Sequence, residues 1–133
     1  MAKILIVDKV SKAIATKYDA DAPNQGSYGG PWGNPSMFDH IEVPAELDHE
    51  VVKVDEDGEV VVDEVLVEAK VERQWIALRA ARDARLIAAD HTQLADSPLS
   101  SEVKAAWAAY RQELRDLPEN TEDPASPAWP EQP

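Results

Sequence analysis

Residues 72–118 read ERQWIALRAARDARLIAADHTQLADSPLSSEVKAAWAAYRQELRDLP, and this stretch decides the fold. Val103, Trp107, Tyr110, Leu114 and Leu117 recur at steps of four and three, which places them on one face of a helix. Ser100 is the expected N-cap, because its hydroxyl can accept from an otherwise unpaired amide of the first turn. Glu102 lies at the positive end of the helix dipole, and Arg111 and Arg115 lie toward the negative end. Pro118 ends the helix, since it has no N–H to donate and drives its predecessor out of the α region. Upstream, Val67, Val71, Trp75 and Leu78 share a face, and Ala81 and Ala84 permit close approach of another backbone. The expectation is a helical hairpin over 67–117, two helices joined by a polar linker.

Those residues also carry a resemblance. Arg79/Arg82/Asp83 form an R-x-x-R-D pattern, and Asp90, Thr92 and Gln93 form the linker. Asp96, Pro98, Leu99 and Ser100 follow as D-x-P-L-S. Lys104, Trp107, Tyr110, Arg111, Gln112, Leu114, Arg115, Asp116, Leu117 and Pro118 complete a long helical motif, and Trp129-Pro130 sits near the end. In combination this resembles the C-terminal module of bacteriophage tail fibre assembly proteins, also called tail assembly chaperones. The likeness covers roughly the last 55 residues. One departure is visible: the family usually has a Trp between the linker's Asp and Thr, where this chain has His91.

The rest of the chain is β-rich and acidic. KILIVDKV and AIATKYD read as strands, and HIEVPAEL as a short strand broken at Pro44, fitting a sheet edge. Val51–Val54 and Val60–Val62 flank Asp57-Gly58, a pair that favours a type I′ hairpin turn. Asp63 is the expected N-cap of the first helix. Between the strands, residues 23–35 (PNQGSYGGPWGNP) hold four of the chain's five glycines, with Tyr28 and Trp32 among them. Glycine and proline exclude a regular element there. The loop is either a long connector or a binding loop of the kind that carries Tyr and Trp on a flexible frame. The expected class is α+β: an acidic N-terminal antiparallel β module (1–66), the hairpin (67–117), and an extended Pro-rich C-terminal tail (118–133).

Charge narrows the function. The net charge is −13, and residues 19–66 alone hold thirteen acids against Lys53. Such a segment repels a phosphate backbone and an anionic lipid surface, so nucleic acid and membrane are poor partners. Two readings of the acidity stand: simple solubility, or complementarity to a basic partner. There are no cysteines, hence no disulfide framework and no thiolate chemistry. The apolar run Ile4–Val7 is too short for a signal peptide or membrane span. His40, His49 and His91 are scattered, and no nucleophile–base–acid pattern is present, so neither catalysis nor a metal site nor a cofactor is expected. Asp55, Asp57 and Glu59 lack the further ligands of a calcium loop.

A binding protein remains. The Trp107/Tyr110/Leu114 stripe is either the hairpin's internal seam, facing Val71, Trp75 and Leu78, or a partner surface. If it is the seam, partner contacts fall on Arg79, Arg82 and Arg85 of the first helix and Arg111 and Arg115 of the second, because arginine's planar, multi-donor head suits interfaces. Trp129, flanked by prolines, either recognises a partner or folds back on the hairpin. The candidate partner-binding residues are thus Arg79, Arg82, Arg85, Trp107, Tyr110, Arg111, Arg115 and Trp129, with Tyr28 and Trp32 in the loop. The resemblance implies a non-catalytic protein that binds the phage tail fibre, or a baseplate or tail subunit, in the host cytoplasm. It would assist fibre folding, trimerisation or attachment. The alternative is a permanent component of the virion tail, oligomeric within an assembly.

Overall fold

The computed structural model describes residues 3–9, 11–19 and 38–133. The chain divides into two compact units, Met1–Glu68 and Ala69–Pro133. The architecture is α+β, with small antiparallel sheets followed by two helices. The glycine-rich loop with Tyr28 and Trp32 lies outside the described residues.

In the first unit, β1 (Lys3–Asp8) is the middle strand of a three-stranded sheet, between β2 (Ile14–Asp19) and β3 (Phe38–Val43). Both pairings are antiparallel. A central strand has apolar groups on both faces, and Leu5, Ile6 and Val7 are all fully buried. β3 ends at Val43, next to Pro44, and occupies an edge as expected of a strand that meets proline. The β1–β2 connection turns on Asp8, whose carboxylate accepts from the Ser11 amide and hydroxyl. β4 (Val52–Val54) and β5 (Val60–Val62) form a separate two-stranded hairpin. Leu5, Val7 and Val43 of the larger sheet join Val52 and Val54 of the smaller in one buried cluster, edged by Ile14, Ile41, Leu47 and Val60.

The hairpin turn differs from the type I′ expectation. Asp57 does not take the positive φ that type I′ requires, and only Gly58 does, at 87°. The Gly58 amide donates to the Asp55 carbonyl, and the Asp55 amide donates to the Glu59 carbonyl. The loop therefore has three residues, a type I turn closed by a left-handed glycine. The cause is local. Asp55 accepts from the amides of both Asp57 and Glu59 through one carboxylate oxygen, which draws the turn one residue earlier.

α1 (Glu64–Ala88) begins where expected, with Asp63 accepting from the Val65 amide. In the second unit α1 is followed by one turn of 3-10 helix (Asp90–Gln93) and by α2 (Ser101–Asp116). Ser100 caps α2 by accepting from the Val103 amide, and Leu117 closes it beside Pro118. The buried apolar side chains of this unit are Leu78, Ala89, Tyr110, Leu114 and Leu117. Beyond Pro118 the chain has no helix or strand but is not without structure. The Thr121 hydroxyl donates to the Leu117 carbonyl, and Asp123 turns the chain by accepting from the amides of Ala125 and Ser126.

Candidate partner-binding surface

The linker sets how α2 lies along α1. Gln93 donates to the Lys104 carbonyl, and the Lys104 ammonium donates back to the Leu94 carbonyl. One step further, the His91 and Trp107 rings are 6.5 Å apart. One step further again, Arg111 reaches the end of α1. One of its terminal nitrogens donates to the Leu86 carbonyl at 2.6 Å, and the other pairs with Asp90 at 2.7 Å. These three contacts are the rungs of an antiparallel hairpin. The Thr92 hydroxyl, wholly buried, donates to the Ala89 carbonyl and accepts from Gln93. So Asp90, Thr92, Gln93, Ser100, Lys104 and Arg111 all act as fastenings of the turn.

This register decides what each stripe residue faces. Trp107 meets the linker rather than Val71 and Trp75, and Val71 remains exposed. Trp107 is half-buried, packed edge-on against buried Tyr110 with centroids 5.7 Å apart. Val103, one turn earlier on the same face, is 41% exposed, and Leu94, whose carbonyl accepts from the neighbouring Lys104, is 55% exposed. Leu94, Val103 and Trp107 thus leave apolar surface at the pinned end of the hairpin, where His91 and Lys104 also lie. Leu94 was not singled out by periodicity, because it lies in a linker where no period applies; its only signal was an apolar residue alone among polar ones.

The arginines divide. Arg82 pairs with adjacent Asp83 at 2.7 Å. Arg79 lies over the Trp75 ring, 5.6 Å from its centroid. Arg85 donates to the Ala81 carbonyl and stacks on Trp129 at 3.7 Å. The tail therefore returns to α1, with Trp129 half-buried. A shallow groove beside it is lined by Glu113, Asp116, Leu117, Asn120, Ala128 and Pro130. Arg115 is exposed and has no ion pair or hydrogen bond among the described residues. Among the described residues no group of three or more His, Asp or Glu side chains is placed to hold a metal ion. None of the described helices is long and apolar enough to cross a membrane.

Residues 75–133 match the family model described as phage tail assembly chaperone protein. Over this segment the chain is similar to that family. The match begins at Trp75 and runs to the last residue, so the chaperone module comprises most of α1, the linker, α2 and the returning tail. The family points to a role in tail assembly. No curated protein and no solved structure matches the chain.

Proposed function

We propose that the protein is a non-catalytic tail fibre assembly factor that holds the incomplete fibre subunit in the host cytoplasm and is displaced as the fibre trimer forms. The observation that carries this reading is the patch of Leu94, Val103 and half-buried Trp107 on a turn immobilised by side-chain fastenings. A rigid patch with a central Trp and aliphatic surroundings is the usual make-up of an interface hot spot, because little freedom is lost on docking. Arg115, free at the surface of α2, adds a charged contact. An unfinished fibre exposes strand edges that aggregate, and a factor binding it shifts the equilibrium by mass action until the better partner arrives.

The test is co-expression with the fibre protein of the same phage. The soluble trimer yield is expected to rise with this chain present, and to return to the unassisted level with Leu94→Glu or Val103→Glu. Neither change should disturb the fold, since both side chains already meet solvent. If solubility and trimer content are unaffected by the chain, the assignment is wrong. Mass spectrometry of purified particles separates the second reading: peptides at the abundance of a tail protein would make the chain a permanent tail component instead.

A further inference from the structure

The second unit buries one side of α1 and leaves the other bare. Leu78 and Ala89 are buried, whereas Ile76 is 56% and Ile87 71% exposed. Ile76 and Ile87 are eleven residues apart, three helical turns, so they point within about 20° of the same direction. Between them lie Ala80, Asp83 and Ala84, all exposed. A single surface isoleucine needs no explanation. Two in line, separated by small residues, make a strip on which another helix can lie close.

We propose that this strip docks on the same strip of a second copy of the chain, with the two α1 helices antiparallel and Ile76 of each against Ile87 of the other. The argument for this occupant is charge. Rotation about a two-fold axis between Ala81 and Arg82 sets Arg79 of one copy beside Asp83 of the second, twice, along the same margin of the strip. A parallel pairing in register would put Arg79 of one copy and Asp83 of the other on opposite margins of the strip, out of reach of one another. In the single chain neither group is strongly engaged: Arg79 rests over Trp75, and Asp83 pairs only with its sequence neighbour at the surface. Ala80 and Ala84 meet along the opposite margin and allow close approach there. The area is small, roughly half of the ~800 Å² per partner of a standard stable interface, so the dimer is weak, with Kd of about 10–1000 μM. This inference goes beyond the assembly role and does not depend on it.

The chain has no cysteine, which permits a direct test on the full protein. Ile76→Cys and Ile87→Cys chains, mixed and oxidised, should give the mixed 76–87 disulfide dimer in excess of either like pair. Sedimentation of the unaltered chain should pass from monomer towards dimer mass across the expected concentration range. Ile87→Lys should abolish that passage with the helical circular dichroism unchanged. Arg79→Glu should weaken association about fivefold, and Arg79→Glu with Asp83→Arg should restore it. Monomer mass at every concentration, a dimer indifferent to Ile87→Lys, or a preference for the 76–76 disulfide would each overturn the proposal.

Discussion

Arg111 ties the end of α1 to α2. It is a second donor to the Leu86 carbonyl, which also accepts from the Ala89 amide, and it neutralises Asp90 with the same guanidinium. Its side chain is 11% exposed, so water cannot readily replace it. Arg111→Ala should destabilise the second unit by about 2–3 kcal/mol, measured by urea unfolding followed through circular dichroism. Arg111→Lys should recover little, since one ammonium cannot serve two acceptors in the geometry of a planar fork. Trp129 belongs to the same scale. Removing it by Trp129→Ala loses the stack with Arg85 and should cost about 1 kcal/mol. No loss of stability would mean that the tail adds nothing to the hairpin it lies on.

The elements follow local rules closely. Asp63 and Ser100 cap their helices, and Pro118 ends the second, all for reasons contained within a few residues. Ser100→Ala should lower stability by about 1 kcal/mol, read from the same unfolding curves. At the β4–β5 turn, Gly58 has φ of 87° and nothing within 4 Å of where a Cβ would stand. Gly58→Ala should therefore cost about 1–2 kcal/mol from backbone conformation alone, with no steric term. Gly58→Asn should cost less, because asparagine tolerates the left-handed region. The hairpin was legible in the β-branched runs around Asp57-Gly58, but its loop length was not. A two-residue loop would have set Glu56 opposite Glu59. Asp55, by accepting from two amides, instead brings Val52 and Val54 onto Val62 and Val60.

At the scale of the whole molecule the dominant quantity is charge. Residues 19–66 carry a net −12 that no equal number of bases offsets. Self-repulsion of that kind is screened by salt. Raising NaCl from about 20 to 300 mM should raise the melting temperature of the first unit by about 2–5 °C, seen by calorimetry. A fall would show that attractive ion pairs, such as Lys9 with Asp39, outweigh the repulsion.

What the amino-acid order determined by itself was much of what near neighbours govern: the strands and helices, the caps and stops of the helices, the α+β class, and the motif shared with the chaperone family. Periodicity placed Val103, Trp107, Tyr110 and Leu114 on one face, because that depends only on angle about the helix's own axis. It could not say what they would meet, because the axial register between two helices is set by bonds between residues far apart in sequence. Here those bonds are Gln93 to Lys104 and Arg111 to Leu86. They bury Tyr110 and Leu114, leave Val103 and part of Trp107 open beside Leu94, and turn Arg111 inward while Arg115 stays in solvent. Only the tertiary structure could settle that division, since one stripe supplies both the residues that hold the hairpin and those it leaves exposed.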